Sequence, residues 1–217
     1  NAIEASKNLA ERLDAPVCLG YQHNDAFPGS HELCVGPLGY NGSKAAMELI
    51  AKADVVLALG TRLNPFSTLP GYGIDYCPQS AKIIQVDINA ERIGLTKKVT
   101  VGIQGDAKVV AEQILEQLSD NAGDHGRSER KVDISESKSR WAQLLTSMEH
   151  EDDDPGTNWN ESARTREPER MSPRAAWRAI TSGLPQNAII STDIGNNCAL
   201  GNAYPYFEEG RKYLAPG

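Results

Sequence analysis

Asp193, Gly195, Asn196 and Asn197 follow directly on an apolar run, Ala188-Ile189-Ile190. Such a run, ending in an acid, a glycine and two amides, is how a buried strand delivers polar groups to a ligand at its tip. The glycine lets backbone come close, and the Asn side chains supply neutral donors. The competing reading is an Asx-rich turn that only shapes the loop.

Gly60, Arg62, Asp87 and Asp106 form a second candidate set, this one for a nucleotide. Gly60-Thr61-Arg62 comes straight after Val55–Leu59. Arg is a fixed donor fork that suits phosphate, and it equally satisfies loop carbonyls or an interface carboxylate. Asp87 closes "KIIQVDI", where a carboxylate either meets ribose hydroxyls in nucleotide-binding sheets or forms a turn. Gly105-Asp106 opens a helix, and plain capping is its other reading. A glycine-rich loop, Gly36-Pro37-Leu38-Gly39-Tyr40-Asn41-Gly42, precedes the helix start at Ser43. His23, Asp25, His31 and Glu32 fit no standard metal-ligand spacing, so no metal site is assigned. No G-x-S-x-G elbow, P-loop or H-E-x-x-H is present, and no residue is assigned as catalytic.

The elements that must position these residues alternate. Residues 3–13 carry Ile3, Leu9 and Leu13 among charged positions, which predicts an amphipathic helix. A strand follows at Val17–Gly20, then a loop through residue 42 rich in Gly, Pro and Asn. Ser43 caps a helix with Ala46, Met47, Leu49 and Ile50 on its apolar side. Val55–Leu59 lacks polar alternation, so a strand buried on both faces is expected. Further strands are expected at Lys82–Ile88 and Val99–Ile103, with a helical turn over Asn89–Ile93 between them. A helix from Asp106 places Val110, Ile114 and Leu118 on one face.

The pattern predicts an α/β fold. A doubly wound, mostly parallel sheet makes a central domain over residues 1–118, lacking a first strand that would precede Asn1. Residues 119–170 are polar and read as an interdomain linker, broken by one short helix at "SRWAQLLTSM" with Trp141, Leu144, Leu145 and Met148 turned inward. Within it, Glu151–Asp154 reads as a solvated acidic run. Residues 171–217 read as the start of a second, truncated α/β domain. Its Ser172-Pro173 helix start leads to Trp177 and Ile180 facing inward, an end at Gly183, then the strand Ala188–Asp193.

Composition narrows the partners. The 217 residues carry 22 basic and 29 acidic side chains, for a net charge of −7. That argues against nucleic acid, which needs a basic face, and against an anionic membrane surface. No apolar stretch approaches the ~20 residues that span a bilayer. The four cysteines, Cys18, Cys34, Cys77 and Cys198, have neither zinc-site nor thioredoxin spacing, and read as reduced thiols of a cytoplasmic protein.

Taken together, "GPLGYNGSKAAMELIAKADVVLALGTRL", "IIQVDINAERIG" and "VGIQGDAKVVAEQIL" resemble the central domain of thiamine-diphosphate-dependent enzymes of the acetolactate synthase group. "MSPRAAWRAITSGLPQNAIISTDIGNNCALGNAY" resembles the opening of the domain that binds the cofactor's diphosphate. Within the group, the likeness is greatest to the branch that converts sulfoacetaldehyde and phosphate to acetyl phosphate and sulfite. The alternatives are an acetolactate synthase-like enzyme or a non-catalytic module binding FAD or ADP through Gly60, Arg62, Asp87 and Asp106.

The resemblance implies that Asp193, Gly195, Asn196 and Asn197 lie against the diphosphate of thiamine diphosphate. It implies Mg2+ as the second cofactor and a homo-oligomer, at least a dimer. It also implies that the Glu driving the cofactor's proton transfer and the G-D-G segment holding magnesium lie outside these residues. The 217-residue chain alone is therefore expected to be inactive.

Overall fold

The computed structural model describes residues 2–77, 80–118, 126–150 and 171–215. Helix α1 (Ile3–Leu13) buries Ala5, Leu9 and Ala10 and ends where Asp14 turns left-handed at φ 48°. Pro16 follows and forbids continuation. Strand β1 (Val17–Leu19) pairs in parallel with β2 (Cys34–Pro37), whose four residues are all buried. The sequence pattern predicts only loop there. Gly36 and Pro37 make up half of β2, and both residue types mark turns more often than strands.

Ser43 starts α2 (Lys44–Ala51) as expected, its Oγ accepting from Ala46 N–H at 3.3 Å. Strands β3 (Val55–Leu59), β4 (Lys82–Asp87) and β5 (Val101–Gln104) form a parallel sheet in the order β3-β4-β5. Asn89 caps a short 3-10 turn over Ala90–Arg92, where a helical turn is expected. Gln85, 1% exposed, ties down the loops around this sheet. Its Nε2 donates to Thr61 O and Arg92 O, and its Oε1 accepts from Gly94 N–H. Helix α3 (Ala107–Gln117) turns Val110 and Ala111 inward. The expectation that β3 is covered on both faces fails at its start: Val55 is 49% exposed.

Helix α4 (Arg127–His150) replaces the expected short helix with 24 residues. Ile134, Ser137, Trp141, Leu145 and Met148, spaced three or four apart, are buried, and so is Glu149 near its end. Trp141 and Leu145 pack with Ala45 of α2 and with Ala203 and Tyr204. The acidic run Glu151–Asp154 lies outside the described residues.

Beyond residue 170, α5 (Pro173–Gly183) is capped by Ser172, whose Oγ accepts from Ala175 N–H at 3.1 Å. Trp177 faces inward against Gly201, as expected, but Ile180 is 52% exposed. Arg174 occupies the buried face instead, at 2% exposure. The expected strand Ala188–Asp193 shrinks to β6 (Ile190–Ser191). It pairs in parallel with β7 (Tyr213–Leu214), reached through the short helix α6 (Asn196–Gly201). Neither α6 nor β7 is among the elements the sequence pattern predicts.

Candidate functional site

The chain leaves β6 through Thr192-Asp193-Ile194 into Gly195, which stands at φ 120°, ψ −165°. Glycine alone takes that conformation without strain. A Cβ on Gly195 would meet no atom within 4 Å, so the space beside it is open. Residues 193–197 are all exposed, with Ile194 at 82%. Asp193 Oδ1 accepts from Ile194 N–H at 2.7 Å, which bends the tip. The Asn196 and Asn197 side chains take no partner among the described residues, so their amides remain available to a ligand.

The exposed tip has a rigid back. Cys198, Ala199, Leu200 and Gly201 are buried, and the Trp177 ring lies so close to Gly201 that a Cβ there would sit 2.6 Å from it. Asn202, with no exposed surface, is the main fastener. Its Oδ1 accepts from Gln22 N–H at 3.1 Å, and its Nδ2 donates to Leu38 O at 3.3 Å. Its carbonyl accepts from Asn24 Nδ2 at 2.9 Å, and the same amide reaches Pro205 O at 3.1 Å. Asp25 Oδ2 accepts from Lys212 N–H and Tyr213 N–H, which fixes the start of β7.

The loop after β1 thus grips the second unit from behind. Sequence reasoning missed this role of Asn24 and Asn202. Both sit in polar loop stretches, and their burial is set by contacts some 180 residues apart in the chain, which no local pattern carries.

A second grip comes from α4. Arg178 bonds Glu149 through Nε and Nη2 at 2.9 and 2.8 Å, and lies over the Tyr204 ring. Glu149 raises the guanidinium's already high pKa through that hydrogen bond.

The structure also gathers part of the nucleotide set. Gly60, Asp87 and Asp106 meet at the carboxyl edge of the β3-β4-β5 sheet: Gly60 donates to Val86 O, and Gly105 donates to Asp87 O. Asp87, 4% exposed, uses Oδ1 to accept from Asn89 N–H at 2.9 Å, a turn. Asp106 Oδ1 accepts from Lys108 and Val109 N–H, a helix cap. Arg62 is exposed, and its carbonyl accepts from Thr96 Oγ1 at 2.8 Å.

His31 is similarly occupied. Its Nδ1 accepts from Leu33 N–H, which leaves the proton on Nε2 to donate to Glu11 Oε1 at 3.0 Å. The described residues hold no cluster of three or more potential metal ligands. All four cysteines are free. Burial pushes the Cys18 thiol up to about 12 and raises Cys34 and Cys77, so these three stay protonated and are poor nucleophiles. Among the described residues, no helix is long and apolar enough to cross a membrane.

Comparison with known proteins bears on this geometry directly. Over all 217 residues the chain is 76% identical to the protein of Rhizobium meliloti (strain 1021) named "Probable sulfoacetaldehyde acetyltransferase", covering 100% of this chain and 37% of the relative. It is 75% identical over 216 residues to the sulfoacetaldehyde acetyltransferase of Roseovarius nubinhibens, covering 100% of this chain and 36% of that relative. Acetolactate synthase isozyme 3 large subunit of Escherichia coli (strain K12) is 27% identical over 218 residues, with 97% and 33% covered. The chain therefore spans little more than a third of the length of the relatives it matches. The family model described as "Thiamine pyrophosphate enzyme, central domain" matches residues 1–118. The parallel α/β fold described above agrees with that match, and the chain belongs to the thiamine pyrophosphate enzyme family.

Proposed function

We propose that the chain is part of a thiamine-diphosphate-dependent acetyltransferase that converts sulfoacetaldehyde and phosphate to acetyl phosphate and sulfite. The observation that carries this reading is the 76% identity, across every residue, to a protein named for that substrate, against 27% to an acetolactate synthase. Residues 119–170 then join the central domain to the diphosphate-binding domain that begins at residue 171. The full protein works as a homo-oligomer in the cytoplasm.

The tip of β6 fits the cofactor's diphosphate end. Gly195 has open space beside it, and Asn196 and Asn197 have unoccupied amides. Gly195 lets backbone approach the diphosphate, the Asn side chains donate to its oxygens, and Asp193 holds the tip bent. Thiamine diphosphate, when bound, would supply the nucleophilic chemistry at the aldehyde carbonyl. This chain's contribution is to hold and orient the anionic end of the group, with Asn24, Asp25 and Asn202 bracing the loop. Magnesium would rest on residues outside those described, since these hold no ligand cluster. On this reading the glutamate that drives proton transfer belongs to another part of the full protein, and the 217 residues alone are expected to show no activity.

The test is an assay of the full-length protein with thiamine diphosphate and magnesium. Phosphate-dependent sulfite release from sulfoacetaldehyde is the expected result. Acetolactate formed from pyruvate, with no sulfite release, would replace this reading with the synthase one. Flavin absorbance in the purified protein would favour FAD as the ligand of the central domain, where Gly60, Arg62, Asp87 and Asp106 are the candidate contacts.

A further inference from the structure

The tip of β6 hangs on two stems, Thr192 before Asp193 and Cys198 after Asn197. Its polar groups converge on a ligand only if both stems are held in place. Both run back to one short stretch of the loop after β1, residues 21–25.

The later stem is held through sulfur. Cys198 is buried, and its Sγ accepts from Gln22 Nε2 at 2.6 Å. The Tyr21 hydroxyl lies 3.5 Å from the same sulfur, and either group can be the donor in that contact. Burial, and then the Cys198 contact, push the Tyr21 hydroxyl's pKa up, so it keeps its proton. The earlier stem is held through β7. Thr192 N–H donates to Leu214 O at 2.9 Å. Thr192 Oγ1 and the Tyr213 hydroxyl are both buried and face each other, and that hydroxyl also lies near Cys198. Tyr213 N–H in turn donates to Asp25 Oδ2 at 3.3 Å.

Tyr21 and Gln22 are themselves fixed by other groups. Tyr21 N–H donates to Ser67 Oγ at 3.0 Å in the loop after β3, and its ring stacks on Phe66 with centroids 5.9 Å apart. Gln22 stands at φ 63°. A non-glycine residue takes that left-handed backbone at a cost and keeps it where its surroundings impose it. With the backbone so turned, its N–H goes to Asn202 Oδ1 and its side-chain amide lands on Cys198.

This linkage differs from the one through Asn202. Asn202 satisfies two buried backbone groups, so it carries stability. A thiol sulfur is a weak acceptor, and a fold that leaves it without donors loses little. What the two donors supply is placement, because they fix the residue next to Asn197. Weak contacts can only bias that placement, so the effect on binding is a few-fold for each donor.

We propose that Tyr21 and Gln22 are positioning residues for the cofactor: through Cys198 they set the stem of the β6 tip that receives the diphosphate. The inference rests on the assignment of that tip to thiamine diphosphate, and extends it to two residues that act through another side chain.

Variants of the full-length protein test it. Gln22→Met and Tyr21→Phe each remove one donor and keep most of the packing. Each is expected to weaken thiamine diphosphate binding about threefold, measured by calorimetry with magnesium, and the pair about tenfold. The cofactor KM is expected to rise in step, while kcat at saturating cofactor stays within about twofold. The denaturation midpoint of the cofactor-free protein is expected to stay where it is. Cys198→Ala is expected to match the pair, with no further loss when all three are combined, because all act at one point. Cys198→Ser keeps an acceptor and is expected to bind within about threefold of the unaltered protein. Unchanged affinity in the pair, beside weakened binding in Gly195→Ala, would overturn the proposal and leave the cofactor assignment standing. So would losses that add when Cys198→Ala joins the pair, or a midpoint that falls with the affinity, which would make these contacts structural only. Unchanged affinity in Gly195→Ala as well would remove the tip from the cofactor site and the proposal with it. If the paired variant does not fold, Gln22→Met alone decides by the same measurements.

Discussion

The β3-β4-β5 sheet and the β6-β7 pair both bring polar residues to the carboxyl ends of parallel strands, but they use them oppositely. At the tips of β3, β4 and β5, the carboxylates of Asp87 and Asp106 are bound to backbone amides within three residues of themselves. At the tip of β6, Asn196 and Asn197 are exposed and unoccupied, next to a glycine with open space around it. The open tip is also the braced one, since Asn24 and Asp25 reach it from the loop after β1 and Asn202 bonds back to Gln22 and Leu38. A strand end is available to a ligand when its polar groups are left over after the loop has satisfied itself and when something outside the loop holds it still.

The largest expected effect is at the brace. Asn202→Ala in the full-length protein strands the buried Gln22 N–H and Leu38 C=O together. Each orphaned buried group costs about 1–3 kcal/mol, so a loss of about 3 kcal/mol in chemical denaturation is expected, with weaker thiamine diphosphate binding. An unchanged midpoint would show that the second unit is held without this fastener.

Next comes the closed character of the central unit, which pH can probe. The Cys18 thiol sits at about 12 in the folded protein, raised by burial and by neighbouring Cys34 from 9.0. Between those values the unfolded chain ionises and the folded one does not. The unfolded state then binds fewer protons, and stability falls as pH rises through 9. At about 1.4 kcal/mol per pH unit, the wild-type protein is expected to lose about 2–3 kcal/mol more than Cys18→Ala between pH 9 and 11, read as the difference in denaturation midpoint. Equal losses would mean the thiol is open to water.

At the open tip, Gly195→Ala forces a side chain into φ 120°, a strain of about 1–3 kcal/mol. Nothing crowds the new Cβ, so the loop relaxes locally and the global fold is expected to persist. Thiamine diphosphate affinity, measured by calorimetry on the full-length protein, is expected to fall about tenfold or more. Unchanged affinity would remove the tip from the cofactor site.

The sequence showed the elements where apolar spacing is clean, as in α1, and where a cap is also present, as in α2 with Ser43, α3 with Asp106 and α5 with Ser172. It missed β2 because Gly36 and Pro37 disguise a strand whose burial comes from its neighbours. It shortened α4 because Ser137 occupies a buried position and charged residues crowd the first three turns. The residues of the open tip were readable because Gly195 and the paired Asn sit at the end of an apolar run. Their brace was not, since Asn24 and Asn202 meet only in the folded chain.

The smallest effect separates the two readings of Asp106. As a cap, its Oδ1 satisfies two free N–H groups at the start of α3. Asp106→Ala is then expected to cost about 1 kcal/mol, and Asp106→Asn or Asp106→Ser to recover most of it, because capping needs an acceptor and not a charge. A ligand contact behaves differently: the neutral variants would restore stability while nucleotide affinity stayed low. Full rescue by Ser in both measurements therefore makes the central unit's strand tips structural and leaves the β6 tip as the chain's binding end. Rescue of stability alone would place a second ligand at Asp106 and make the two units alike.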